Sequence, residues 1–192
     1  MRIAFSRANR RAPERFRIVH FSVQYDHVHL LVEARDKRAL SAGIRSVSIR
    51  IARYVNELLG RRGPLWADRW FGRALTTPRA VRVALVYVLA NFRKHARKRQ
   101  PRGIDGFSSG ESFDRFRDWR PGRHRTPWAL RAPPPFTGNE ASVDRTWVVR
   151  PPKSDLARVA WRRFGLIQLD EAPSSVPGVG EMGRLHATGR ST

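Results

Sequence analysis

The run Phe16-Arg17-Ile18-Val19-His20-Phe21-Ser22-Val23-Gln24, then Tyr25-Asp26, then His27-Val28-His29-Leu30-Leu31-Val32-Glu33, decides how this chain folds. β-Branched and aromatic residues dominate the first run, which favours a strand. Tyr25-Asp26 makes a turn and the third run is a second strand, so residues 14–34 read as a hairpin. Successive side chains on a strand point to opposite faces. Val28, Leu30 and Val32 therefore share one face, and His27, His29, Leu31 and Glu33 share the other. One face is dry and the other carries two histidines.

Working outward, Ile44, Val47, Ile51, Val55, Leu58 and Leu59 recur at helical spacing, and Gly60 stands where a C-terminal cap belongs. A helix over about Leu40–Leu59 follows, and Gly63-Pro64 then breaks the chain. The segment Leu65-Trp66-Ala67-Asp68-Arg69-Trp70-Phe71-Gly72-Arg73-Ala74-Leu75 is read as a short irregular strand. Thr77-Pro78 opens the clearest helix, with a capping threonine before a proline at the first helical position. Val81, Ala84, Leu85, Val88, Leu89 and Phe92 form its apolar stripe. Tyr87 and Asn91 stack one turn apart beside that stripe, with Lys94 on the same side, and a basic run from His95 to Arg102 ends the helix. From residue 103 the sequence turns rich in Gly, Pro, Ser and Arg. Thr146-Trp147-Val148-Val149 is read as a short strand and Leu156–Leu169 as a short helix, both packing back on the domain.

The chain has 192 residues with 38 Lys+Arg against 16 Asp+Glu, a net charge of +22. That exceeds the roughly 2–8 units that keep a small domain soluble and points to a polyanion, nucleic acid first. There is no cysteine, which excludes disulfides, thiolate metal sites and a cysteine nucleophile. No apolar run reaches the ~20 residues of a membrane span, and Met1–Arg11 is too basic and polar for a secretory leader. A cytoplasmic protein without membrane partners is expected.

Two histidines at i and i+2 on a strand point the same way and can share one divalent cation. A tyrosine on a helix beside that strand can attack a phosphate held there. Its phenol, with pKa about 10, is a better leaving group than an alkyl alcohol, so a phosphotyrosine bond keeps the energy of the cleaved phosphodiester. Taken singly these features are weak. A His-x-His pair is more often structural, and a tyrosine flanking an apolar stripe is more often a core-edge residue, the role assigned to Tyr54. His20 reads as a partly covered strand residue and His95 as a helix C-terminal cation.

The ordered set is more specific. Asp26-His27-Val28-His29-Leu30-Leu31-Val32 resembles the histidine-hydrophobe-histidine strand of the one-tyrosine, IS200-like transposases, most closely their REP-associated branch. Leu65-Trp66-Ala67-Asp68-Arg69 is similar to that branch's segment before the last core strand. Ala84-Leu85-Val86-Tyr87-Val88-Leu89-Ala90-Asn91 is similar to its catalytic helix, where a tyrosine is followed four residues later by asparagine. The resemblance implies that His27, His29 and Asn91 bind Mg²⁺ or Mn²⁺. It implies that Tyr87 attacks single-stranded DNA beside a hairpin, leaving a 5′-phosphotyrosine and a free 3′-hydroxyl. It also implies that Arg93, Lys94, Arg97, Lys98 and Arg99 hold the DNA backbone, in a monomer or a homodimer.

The implied fold is α+β, a ferredoxin-like βαββαβ sandwich. Here Met1–Arg11 supplies only the end of its first helix, so the first strand is expected to be missing, through a late start or through decay of the gene. The organisation expected is a catalytic domain over 1–102, an Arg/Pro-rich extension over 103–171 packing on it, and a disordered tail over 172–192. Phe92 replaces the proline common after the asparagine, which lets the helix run on through Lys94. Two other readings remain at this stage: a hairpin-binding protein without turnover, and a basic RNA-associated protein whose histidines are structural.

Overall fold

The computed structural model describes residues 1–94, 103–113, 115–118 and 148–173, with Lys94 described in its backbone alone. Within them the order is α1 (Arg2–Arg11), β1 (Phe16–Val23), β2 (Val28–Ala34), α2 (Lys37–Leu58), α3 (Pro78–Lys94) and the single turn α4 (Asp155–Arg158). The fold is α+β. Its one sheet among the described residues is the antiparallel pair β1–β2. No helix there is long and apolar enough to cross a membrane.

The hairpin divides the molecule into two cores. Phe16, Ile18, Phe21 and Val28 pack with Phe5 of α1 and Ile44, Val47 and Ile51 of α2. Leu30 and Val32 border the same cluster, so the expected dry face is the one the first two helices cover. Leu31 and Val19 point the other way, onto Val81, Ala84 and Leu85 of α3. Phe113, Phe116, Trp161 and Ile167 complete that second core. A bulge lies between Ile18, opposite Val32, and His20, opposite Leu31. The extra residue puts Val19 into the α3 core and sets the His20 ring edge-on to Phe113 at 5.3 Å.

α2 begins at Lys37, earlier than the apolar spacing predicts, because Asp36 caps it. The Asp36 side chain accepts the Ala39 N–H at 2.7 Å, and that bond, with Arg35 beside it, holds the carboxyl below its ordinary value. Gly60 follows the helix with φ 58°, where a side chain would strain the backbone. Thr77 caps α3 through the Ala80 N–H at 3.2 Å.

Residues 65–75 form no strand. Leu65 is buried in the α1–α2 core and Trp66 donates its indole N–H to the Ser48 carbonyl at 3.0 Å. Residues 67–74 are exposed, so no alternating apolar face holds them to a sheet. Of the strand expected over 146–149, Thr146 and Trp147 lie outside the described residues, and Val148 and Val149 are not in a strand. The helix expected over Leu156–Leu169 reduces to α4 and a 3₁₀ turn at Ala160–Phe164.

Residues 107–109 run along the outer edge of β1. Val23 N–H donates to the Phe107 carbonyl and Ser109 N–H to the Phe21 carbonyl, each at 2.9 Å. Two arginines at opposite ends of α3 fasten the later chain. Arg82 grips Glu171 at 2.7 and 2.9 Å and also reaches the Gly165 carbonyl. Arg93 donates to the carbonyls of Gly103 and Leu169.

Candidate active site

His29 on β2 and His27, one residue before the strand begins, both face α3. The rings of His27 and His29 lie 4.6 Å apart at 74°. The His29 ring meets Tyr87 edge to face, with centroids 4.9 Å apart at 82°. All three are buried. Asn91 follows Tyr87 one turn along the same side of α3, where side chains four apart are neighbours, and it is wholly buried. Of the expected ligands, His29 thus meets the expected nucleophile directly, His27 meets His29, and Asn91 stands one turn from Tyr87.

Asp26 is a member of this cluster that the sequence reading placed only in the turn. Its carboxylate oxygen lies 2.6 Å from His27 Nδ1. A proton held on Nδ1 by a carboxylate fixes the tautomer whose lone pair sits on Nε2, the arrangement usual for metal-binding histidines. The signal available was adjacency, an acid immediately before the first histidine.

Asn91 supplies the test of whether a cation fits. Neither its Oδ1 nor its Nδ2 has a hydrogen-bond partner among the described residues. An orphaned buried polar group costs about 1–3 kcal/mol, and a divalent cation on Oδ1 would remove part of that cost. Two imidazoles and an amide oxygen are a donor set that Mg²⁺ or Mn²⁺ accepts. Among the described residues no three His, Cys, Asp or Glu gather into a metal-binding group, so a three-residue set here needs the amide.

The expected DNA-holding cations separate. Arg93 is buried, so it acts as a strut between α3 and the later chain rather than as a surface cation. Burial pulls its guanidinium below the ordinary value, against the opposing charges of Asp170 and Asp105. Lys94 is described in its backbone only, and Arg97, Lys98 and Arg99 lie outside the described residues, as do 174–192 of the expected tail. Nothing in the sequence marked Arg93 as different, because the carbonyls it meets lie 10 and 76 residues further on. Near it, burial pushes the Asp105 carboxyl up, against the pull of the Phe107 N–H.

Residues 8–88 match the model of the family described as transposase, IS200 like. The match takes in the hairpin, α2 and Tyr87 and stops just short of Asn91. No curated protein and no solved structure matches the chain.

Proposed function

Since residues 8–88 of this chain belong to the IS200-like transposases, a DNA-binding family, we propose that the protein nicks and rejoins single-stranded DNA beside a hairpin, with Tyr87 as the nucleophile. The reading rests on one observation: His27, His29 and Tyr87 stack in ring contact, with an unsatisfied buried amide one turn beyond. The order α1–β1–β2–α2 corresponds to the inner αββα portion of a ferredoxin-like βαββαβ unit, and the chain is read as that fold.

In the reaction the Tyr87 oxygen forms a bond to phosphorus and loses its proton. The bond from phosphorus to the DNA 3′ oxygen breaks, and that oxygen leaves as a hydroxyl. The products are a 5′-phosphotyrosine and a free 3′-hydroxyl, and the reverse step reseals a strand without ATP. His27, His29 and Asn91 would hold the Mg²⁺ or Mn²⁺, with Asp26 orienting His27. A bound divalent cation would polarise the scissile phosphate and offset charge on its oxygens. The edge of the His29 ring fixes the plane of Tyr87. Lys94, Arg97, Lys98 and Arg99 would hold the backbone with salt-sensitive affinity. Tyr87 is 3% exposed, so DNA entry must uncover the phenol.

The test is a labelled hairpin with a single-stranded flank, incubated with Mn²⁺ and denatured in SDS. A covalent adduct is expected from the wild type and from neither Tyr87→Phe nor His27→Ala. An adduct that persists in Tyr87→Phe would sink the assignment. The burial of Tyr87 favours a second reading, a hairpin-binding protein without turnover. Hairpin binding unaffected by chelator, with no adduct under any metal, would select it.

A further inference from the structure

Two polar residues beside the histidines have no part in the proposed chemistry. Ser22 lies directly opposite His29 in the β1–β2 register, and the Gln24 N–H donates to the His27 carbonyl at 2.9 Å across the turn. Opposite residues on paired strands share a face, with Cβ atoms about 4.5–5.5 Å apart. Ser22 and Gln24 therefore stand beside His29 and His27 on the α3 side of the hairpin. Their own contact agrees, since Gln24 Nε2 donates to Ser22 Oγ at 2.6 Å. Val23 and Val28, which alternate with them, pack into the opposite core.

The Gln24 amide is held by its nitrogen. Besides Ser22, its N–H group serves the Asp105 carboxyl, which also accepts the Phe107 N–H at 2.9 Å. Phe107 in turn bonds the outer edge of β1, while β2 and its histidines lie along the other edge. An amide that turns its NH₂ toward one edge turns its carbonyl oxygen away from it. Oε1 has no hydrogen bond among the described residues. Gln24 is half-buried, whereas His27, His29, Tyr87 and Asn91 are buried. Ser22 and Asp105 thus hold a spare oxygen at the rim of the histidine cluster.

A hard divalent cation has a use for that oxygen. Mg²⁺ and Mn²⁺ favour about six ligands, mostly oxygen, and two imidazoles with one amide leave half of such a shell open. We infer that Gln24 Oε1 is a further oxygen donor to the cation that His27, His29 and Asn91 would hold, with Ser22 and Asp105 as its positioning residues. This role rests on the proposed cation site and does not require that Tyr87 turn over. Its consequence is selectivity. A neutral oxygen donor favours Mg²⁺ or Mn²⁺ over Zn²⁺, which is satisfied by four ligands and prefers nitrogen and sulfur. Because an amide adds no charge, it also leaves the cation's pull on a phosphate undiminished.

The experiment titrates the full chain, without DNA, with Mn²⁺ read by electron paramagnetic resonance of the free ion and with Zn²⁺ read by competition against a chromogenic chelator. Gln24→Leu should weaken Mn²⁺ binding by about tenfold or more and Zn²⁺ binding by less than about threefold. Gln24→Glu separates the oxygen from the nitrogen. It cannot donate to Ser22 or Asp105, so its melting temperature should fall, yet it should bind Mn²⁺ at least as tightly as the wild type. Equal losses of Mn²⁺ affinity in the two variants would overturn the inference, because the amide nitrogen would then be what matters. Parallel losses of Mn²⁺ and Zn²⁺ in Gln24→Leu would also overturn it, as general damage to the hairpin. If Gln24→Leu melts early, Gln24→Asn, which keeps the amide on a shorter arm, should show the same selective loss of Mn²⁺. Wild-type Mn²⁺ binding in Gln24→Leu, alongside none in His27→Ala, would remove Gln24 and leave the cation site standing. A wild type that binds no Mn²⁺ would remove both.

Discussion

Asn9 and Asn91 are both wholly buried, one against each face of the hairpin, and the molecule treats them in opposite ways. Asn9 of α1 accepts the Ile18 N–H at 2.7 Å and donates to the carbonyls of Ile18 and Val148 at 3.2 and 3.0 Å. It ties helix, strand and a distant segment together. Asn91 of α3 has no such bond among the described residues. The α1–α2 face is a dry core whose buried asparagine is fully used and whose charge lies outside. The α3 face holds His20, His27, His29, Asn91 and Arg93 inside its packing. A buried polar group with all its partners stabilises the native state, and one lacking them costs stability unless a ligand completes it. The contrast therefore separates a face whose buried asparagine is fully bonded from a face whose buried asparagine is not.

The largest effect expected on stability is at Asn9. Asn9→Ala strands one buried N–H and two carbonyls and should cost about 3 kcal/mol by urea unfolding. A cost under about 1 kcal/mol would show that the first face does not depend on this tie. Next comes Gly43, where an added Cβ would sit 2.2 Å from the Phe16 ring. Gly43→Ala should cost about 2 kcal/mol, partly recovered by Phe16→Leu.

Asn91 should behave in the opposite sense. Asn91→Leu removes an unsatisfied amide, so stability without metal should rise by about 1 kcal/mol. Mn²⁺ affinity, read by electron paramagnetic resonance of the free ion, should fall by about tenfold or more. A destabilised Asn91→Leu with unchanged Mn²⁺ binding would break the comparison.

The smallest effect is a pH slope at Asp105. Burial raises its carboxyl above the ordinary 3.8, so the folded state holds its proton more tightly than the unfolded one. That contribution is fully present below the ordinary value and is lost as pH rises through the raised one. Asp105→Asn keeps an acceptor for the Phe107 N–H, 2.9 Å away, and should flatten stability against pH just above that ordinary value. An unchanged slope would mean that the carboxylate is not paying for its burial.

The parts legible in the sequence are those whose signals are local. Alternation along Val28-His29-Leu30-Leu31 assigned both faces of β2, and Thr77-Pro78 marked the start of α3. The start of α2 was missed because a capping aspartate precedes the first apolar repeat by several residues. The strand read into residues 65–75 was misled by aromatic content: Trp70 and Phe71 are exposed, at 38% and 61%, and have no alternating partners. The bulge at Val19 left no sequence mark. The second face depends on pairs such as Arg82 with Glu171 and Arg93 with Leu169, which no local pattern encodes. Of the candidate site, the His27–His29–Tyr87 geometry was legible from alternation and helical spacing together. Asn91 came from resemblance, and its orphaned amide became visible only once the chain was folded.

In the proposed reaction a buried tyrosine, not an exposed one, would form the covalent link to DNA. The chain has three tyrosines, and Tyr25 is 95% exposed against 3% for Tyr87. Tryptic mass mapping of the Mn²⁺-dependent DNA adduct tests this most directly. A nucleotide-linked peptide containing Tyr87 is expected, with unmodified peptides for Tyr25 and Tyr54. A nucleotide on Tyr25 or Tyr54, or no linked peptide at all, would contradict it.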